Sequence, residues 1–149
     1  MFNKIMVATD LSERSMQALR FAVDLALKYD AEIMLLHVIS DFMSKEEMVM
    51  LRVSVHNFED IQKQLAISAK EIMETELQRI GASGIKHKLV LREGNPFKEI
   101  IHTSEEIGAD LLVITTNGRT GINEKLMGST AEHIVRHCKV PMLIVRTDS

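Results

Sequence analysis

The stretch between residues 111 and 130 holds the residues with the clearest chemical potential. The apolar run Leu111 to Ile114 is typical of a strand that is buried on both faces. Glycines follow this run, and Gly128, Ser129 and Thr130 then open a helical pattern of apolar residues. A helix N-terminus presents unpaired N–H groups and a partial positive charge, and both suit a phosphate. The pattern therefore predicts a phosphate-binding loop at the start of this helix.

The same residues also have a purely structural interpretation. Ser129 to Glu132 fits the S-x-x-E capping box, and the glycines can simply make turns. The stretch contains neither the Gly-Lys-Ser/Thr of a Walker A loop nor the G-x-G-x-x-G pattern of dinucleotide-binding proteins. The motif by itself therefore leaves phosphate binding and a plain helix cap as open alternatives.

Composition narrows the class of protein. The chain has 149 residues, of which 46% are hydrophobic and 26% charged, and this predicts one soluble globular domain spanning 1–149. A net charge of −3 argues against a nucleic-acid surface, because such surfaces are normally basic. No apolar run approaches the ~18 residues of a membrane span and no signal peptide is visible, so the cytoplasm is the expected location. The sequence shows no metal-type cluster of cysteine or histidine, so no metal site is predicted.

Strand and helix patterns alternate along the chain. Helix starts are indicated by Ser12 as a cap and by Asn95 followed by Pro96. Apolar spacing predicts the buried faces of the first two helices, which are Met16, Leu19, Val23, Ala26 and Leu27, then Phe58, Ile61, Leu65, Ile72 and Ile80. The segment from Ser40 to Val55 is compatible with a lid, an extra helix turn, a contact surface or an extension of the next helix.

Five strands alternating with four helices predict an α/β fold. The expected architecture is a five-stranded parallel sheet with helices on both faces, as in Rossmann-like nucleotide-binding proteins. In such a sheet, ligands bind beyond the carboxyl ends of the strands, where the strand order reverses. The candidate segments at that edge are Thr9 and Asp10 after the first strand and Thr115 to Gly118 after the fourth.

Several short segments together carry a family likeness. They are KIMVATDLS at Lys4 to Ser12, LLHV at Leu35 to Val38, GNP at Gly94 to Pro96 and ADLLV at Ala109 to Val113. Over essentially its whole length the chain resembles the universal stress protein family. The ATP-binding branch of that family has the pattern G-x2-G-x9-G-[ST], and Gly118, the nine residues after it, and Gly128-Ser129 match its second half.

The resemblance implies an adenine-nucleotide site that takes ATP or AMP, and it leaves open whether Mg²⁺ accompanies the phosphates. Asp10 would accept hydrogen bonds from the ribose hydroxyls, although it also suits a plain turn. The base and ribose would be flanked by residues that otherwise serve strand-end packing, namely Ala8, Thr9, Val38, Ile114 and Thr115. The phosphates would be held by residues of the loop and helix, namely Gly118, Arg119, Gly128, Ser129 and Thr130.

One position departs from the pattern, because Thr115 stands where the ATP-binding branch has its first glycine. A β-branched side chain adds bulk where the backbone is expected to approach the nucleotide. If the backbone there needs a positive φ, threonine is also strained by roughly 1–3 kcal/mol. We therefore expect Thr115 to weaken ATP binding, and Thr115→Gly to restore it if that strain exists.

Three functions compete at this point. The leading one is a nucleotide-binding regulatory module of the stress response, and the resemblance implies a homodimer paired through the last strand, Pro141 to Val145. The second is a slow Mg²⁺-dependent ATPase, and the third is a dimeric interaction protein whose site is empty. No pair of carboxylates or nucleophile with a base stands out, so no catalytic residue is predicted and binding is favoured over catalysis.

Overall fold

The computed structural model describes residues 1–39, 49–50, 55–116 and 124–147, and for 55–58 and 124–130 it describes only the backbone. The interpretations of Ser40 to Val55 fall almost entirely outside these residues. The strands and long helices of the described part, in chain order, are β1 (Lys4–Thr9), α1 (Glu13–Tyr29), β2 (Glu32–Ile39), α2 (Val55–Arg79), β3 (His87–Glu93), α3 (Pro96–Glu106), β4 (Leu111–Thr115), α4 (Glu124–His137) and β5 (Met142–Val145).

The strands form one parallel sheet in the order β3-β2-β1-β4-β5. The predicted five-stranded parallel sheet is thereby confirmed. The chain first adds strands on one side of β1 and then crosses to the other side to form β4 and β5. Val7 of β1 is in register with Val113 of β4, and Thr9 of β1 with His37 of β2. The strand order therefore reverses between β1 and β4, which is where a ligand cleft is expected.

Alternate residues of the central strand supply the two cores of the protein. Ile5 and Val7 are fully buried against α1 and α2, on one face of the sheet. Met6 and Ala8 are buried on the other face, together with residues of α3 and α4. Because side chains of a strand point alternately to its two faces, this apolar run needs a layer of helices on each side. The prediction of helices on both faces is confirmed.

Two helices begin where the sequence predicts. The Ser12 hydroxyl accepts a hydrogen bond from the N–H of Ser15 at 3.1 Å, and α1 starts at the next residue. The Asn95 side chain accepts from the N–H of Lys98 at 3.3 Å, and Pro96 takes the first position of α3. Each such cap typically contributes about 1 kcal/mol by pairing an N–H that the helix leaves open.

The predicted buried faces of α1 and α2 are only partly right. Leu27 is 68% exposed, because the face that α1 buries is centred on alanines beside Met16 and Leu19. In α2, Leu65 and Ile72 are each more than two-fifths exposed. The face of α2 that packs on the sheet consists of smaller or more flexible residues at four-residue spacing, namely Ala69, Met73 and Leu77. A pattern that weights large aliphatic residues overlooks alanine, which lets a helix approach a sheet closely.

Asp110 ties the start of β4 to the start of β1. Its Oδ2 accepts hydrogen bonds from the backbone N–H groups of Lys4 and Asn3, at 2.9 and 2.7 Å. These bonds favour the charged carboxylate and hold the pKa of Asp110 below its ordinary value. They fix the relative position of the two strands that meet where the sheet order reverses.

Asp110→Ala should lower the free energy of unfolding by about 1 kcal/mol near neutral pH, a value discounted for the exposure of these bonds. Because the pKa of Asp110 is lowered on folding, the folded state binds this proton less tightly than the unfolded chain does. The stabilisation is therefore complete above the ordinary aspartate pKa of about 3.9, and it is lost as the pH falls through the lower folded value. Denaturant melts of both proteins between about pH 7 and about pH 2.5 measure the difference.

A matched control is Asp24→Ala on the surface of α1. Asp24 pairs with Lys28 one turn away, at 2.9 Å, and both side chains are about two-thirds exposed. An exposed pair of this kind contributes a few tenths of a kcal/mol. A stability difference for Asp110→Ala that stays constant down to the lowest pH would contradict the assignment.

Candidate functional site

A cleft of about 630 Å³ opens beyond the carboxyl ends of β1, β2 and β4. All four long helices contribute residues to its wall, including Ser15 of α1 and Ile134 of α4. The cleft lies where the strand order reverses between β1 and β4. Its position is therefore the one that the alternation of strands and helices predicts.

Six of the residues predicted to hold a ligand line this cleft, namely Ala8, Thr9, Asp10, Val38, Ile114 and Thr115. They come from three strands whose carboxyl ends meet at one edge, although the chain separates the first from the last by about a hundred residues. The remaining five predicted residues have no described side chains. Gly118 and Arg119 lie outside the described residues, and Gly128, Ser129 and Thr130 are described as helix backbone only.

The walls nearest the strand ends are apolar. Ala8 and Ile114 lie on the same face of neighbouring strands, and both are less than a tenth exposed. Val38 of β2 is buried to the same degree on that face. The small side chain of Ala8 keeps space open between the bulkier residues on each side. A flat apolar group, such as a heterocyclic ring, suits such a gap.

Asp10 supplies the acidic group of the cleft. It follows β1 directly and is half-buried, and it is the only acid among the lining residues that the structure describes. Its Oδ1 accepts a hydrogen bond from the N–H of Ser12 at 2.9 Å, which closes the turn into α1. The predicted turn role is thus confirmed. A carboxylate has about four lone-pair sites, so this bond is compatible with accepting hydrogen bonds from ligand hydroxyl groups as well.

Thr115 lies at the end of β4, in register with Val145 of β5. The described non-glycine residues with positive φ are Leu11 and Asp30, so Thr115 has ordinary extended geometry. The backbone strain that we considered for this position is therefore absent. A residue in extended geometry at a paired strand end has no need for the conformational freedom of glycine.

Thr115→Gly should consequently lower the free energy of unfolding by about 1 kcal/mol, because glycine in a strand loses packing and frees the unfolded chain. ATP affinity should change by less than about threefold, since no strain is relieved. Thermal melts and calorimetric titration measure the two effects. Thr115→Ala is the matched control, because it removes the hydroxyl and the γ-methyl group without adding the backbone freedom of glycine. Tighter binding by the glycine variant alone would contradict this account.

The predicted start of the last helix needs correction. Gly128, Ser129 and Thr130 do not open α4, which begins four residues earlier, at Glu124. Glu124 to Met127 are good helix formers, and they extend the helix past a single interior glycine that costs only about 1 kcal/mol. Ser129 therefore cannot be the N-cap, and the capping-box interpretation is wrong. The N–H groups that a helix leaves open belong to residues 124–127 instead.

The sequence missed much of the cleft wall. Residues that line it without having been predicted include Leu36, Leu65, Ser68, Ile72, Pro96 and Ile100. Leu65 and Ile72 were assigned to the core-facing side of α2 because their spacing is helical. Helical spacing shows that residues share a face, but it does not show whether that face meets the sheet or a cleft. In the structure both side chains are more than two-fifths exposed, so their face of α2 borders the cleft and is not packed on the sheet.

Two kinds of feature are absent from the described part of the chain. Its side chains include no group of three or more His, Cys, Asp or Glu placed to hold a metal ion. None of the helices in that part combines the length and the apolar composition needed to cross a membrane.

Sequence comparison relates the chain to known proteins. A family model described as the Universal stress protein family matches residues 1–146. Universal stress protein YxiE of Bacillus subtilis is 30% identical over 148 residues, which cover 98% of this chain and 100% of the relative. Universal stress protein MJ0577 of Methanocaldococcus jannaschii is 30% identical over 155 residues, covering 98% of this chain and 96% of the relative.

Structural comparison gives the same result for the fold. The solved structure of MJ0577 has a TM-score of 0.81 at 28% identity, with 100% of this chain and 99% of that chain covered. A universal stress protein in complex with cAMP has a TM-score of 0.71 at 22% identity, covering 99% and 98%. A family protein from Arabidopsis thaliana with AMP bound has a TM-score of 0.58 at 20% identity, covering 99% and 93%.

Proposed function

Because the chain belongs to the universal stress protein family, we propose that its cleft binds an adenine nucleotide, ATP or AMP. We further propose that it acts as a single-domain regulatory module of the stress response in the cytoplasm. The observation that carries the nucleotide proposal is the convergence of six predicted residues from three strands on one cleft. Structural neighbours in complex with cAMP and with AMP support adenine nucleotides as the ligand class.

The apolar gap and Asp10 define how the nucleoside would sit. Adenine would occupy the space between Ala8, Val38 and Ile114, where burial of its flat ring is favourable. The ribose would lie toward Asp10, whose carboxylate can accept hydrogen bonds from the two sugar hydroxyls. Thr9 and Thr115 lie beside Asp10 at the strand ends and would contact the base and sugar edges.

The phosphates would extend from the cleft toward the segment that joins β4 to α4. Gly118, Gly128, Ser129 and Thr130 would approach the phosphate oxygens, and Arg119 would supply positive charge. The open N–H groups in the first turn of α4, at residues 124–127, would add a partial positive charge at the same end of the helix. A Mg²⁺ ion that accompanies the phosphates would be carried in by the nucleotide itself.

We also propose a homodimer that pairs through the last strand, Pro141 to Val145. β5 is an end strand of the sheet, with β4 as its neighbour on one side. Ile144 on β5 is 40% exposed, and Val135 on the preceding helix is 49% exposed. An apolar end strand invites pairing with another strand, and a two-fold axis lets a second copy provide it.

Nucleotide analysis of freshly purified protein tests the binding proposal. Extraction with acid followed by chromatography should recover ATP or AMP in an amount comparable to the protein. A chain that releases no nucleotide, and that also fails to bind added ATP or AMP, would support the dimeric interaction protein instead. Phosphate release from ATP with and without Mg²⁺ tests the slow-ATPase alternative, for which we expect no turnover.

A further inference from the structure

Two buried hydroxyl groups hold the turn that follows β1. The Ser15 Oγ lies 2.7 Å from the Thr9 Oγ1 and accepts a hydrogen bond from the N–H of Asp10 at 3.2 Å. The same oxygen donates to the Ser12 carbonyl at 3.0 Å. A hydroxyl has a single proton, and Ser15 gives its proton to Ser12, so Thr9 must be the donor toward Ser15. The direction of every hydrogen bond in the pair is thereby fixed.

This arrangement uses the full hydrogen-bonding capacity of Ser15. Its oxygen donates once and accepts twice, which is all that a serine hydroxyl can do. Ser15 borders the cleft but is only 3% exposed. An effect of Ser15 on ligand binding must therefore act through the groups that it holds, and these belong in part to Thr9 and Asp10, which line the cleft.

The turn also contains a strained residue. Leu11 has a φ of 71°, in the left-handed region that residues other than glycine rarely adopt. Such a conformation persists where the surroundings over-determine it. Here the N–H of Leu11 donates to the Thr9 hydroxyl at 2.9 Å, and the Nδ1–H of His37 donates to the Thr9 carbonyl, also at 2.9 Å. The bonds from α1 and from the neighbouring strand β2 fix the turn from two sides.

We infer that Ser15 is a positioning residue, which fixes the Asp10 turn so that the carboxylate meets the two hydroxyl groups of a ribose. The inference rests on the proposed function, because it needs a nucleotide in this cleft. It adds that the contact of Asp10 with the ribose depends on a side chain that makes no ligand contact itself.

The test compares affinities for ATP and for 2′,3′-dideoxy-ATP by calorimetric titration. The wild-type chain should bind ATP about 10- to 100-fold more tightly than the dideoxy analogue, as expected for hydrogen bonds to a charged acceptor. Asp10→Ala should reduce this ratio to about one. Ser15→Ala should reduce it to less than about threefold, while the affinity for the dideoxy analogue stays within about twofold of wild type.

Ser104→Ala controls for the loss of a buried hydroxyl as such. Ser104 is fully buried, its hydroxyl donates to the Ile101 carbonyl at 2.7 Å within α3, and it is not among the residues that line the cleft. This variant should keep the wild-type ratio of affinities, even if its melting temperature falls as much as that of Ser15→Ala.

The possible outcomes separate the inference from the function on which it rests. If the wild-type chain prefers ATP and Ser15→Ala keeps that preference, the inference is wrong and the proposed function stands. If Ser15→Ala weakens both nucleotides equally, Ser15 has only a structural role and the inference is again wrong. If the wild-type chain binds neither nucleotide, the proposed function fails and the inference fails with it.

Discussion

Ile144→Lys should convert the proposed dimer into a monomer and raise its dissociation constant by about 100-fold or more. Ile144 is 40% exposed on β5, an end strand of the sheet, so the free chain can accommodate a lysine there. At a two-fold interface the substitution occurs twice, and each lysine would bring an unpaired charge into an apolar contact. Light scattering at micromolar concentration measures the mass of each protein.

A lysine substitution on another element makes this result specific. Leu27 is 68% exposed on α1, so Leu27→Lys makes the same chemical change away from β5 and should leave the dimer intact. Leu143→Lys, on the same strand as Ile144, is a poorer probe because Leu143 packs against the core that β5 shares with α1. Its effect would combine dissociation with a defect in folding. A wild-type chain that is monomeric at micromolar concentration would contradict the dimer.

Ser129→Ala should weaken ATP binding by about 10- to 100-fold and leave adenosine binding unchanged, if the Ser129 hydroxyl holds phosphate. The helix start at Glu124 sharpens this prediction, because Ser129 then lies inside α4 and no cap is lost with its hydroxyl. Alanine is also the better helix former by a few tenths of a kcal/mol. Stability should therefore stay constant or rise while ATP affinity falls. Calorimetric titration and thermal melts measure the two quantities.

Thr75→Ala provides the comparison for Ser129→Ala. Thr75 is an exposed position in the interior of α2, so its change also exchanges a helical hydroxyl residue for alanine. It should raise stability slightly and affect neither ligand. An equal loss of ATP and adenosine affinity in Ser129→Ala would argue against a phosphate contact and for a general distortion of the cleft.

The strand ends and two of the helix starts could be predicted because their signals are local. The residues of β1 and β2 form short apolar runs between turn residues, a pattern that the sequence displays directly. Ser12 and Asn95 cap their helices through their own side chains, which is chemistry that the sequence displays directly. The reversal of strand order between β1 and β4 then places Asp10 and Thr115 at one cleft without any further information.

The errors occurred where packing, or a competing local preference, decides the structure. Leu65 and Ile72 have helical spacing, but a different face of α2 packs on the sheet. That face carries Ala69 and Met73, whose side chains let the helix lie closer to the strands. The apolar spacing after Gly128 predicts a helix start there, whereas the helix formers before Gly128 extend the helix to Glu124. The role of Ser15 could not be seen either, because it depends on distances to Thr9 and Asp10 across a turn.

The most direct test of the central claim is calorimetric titration of the nucleotide-free, wild-type chain with ATP and with AMP. The cleft between β1 and β4 should take up about one nucleotide per chain, with saturable binding and a dissociation constant below about 1 mM for at least one of the two. Heat that does not saturate, together with an unchanged melting temperature at millimolar nucleotide, would contradict the proposal that this cleft is an adenine-nucleotide site.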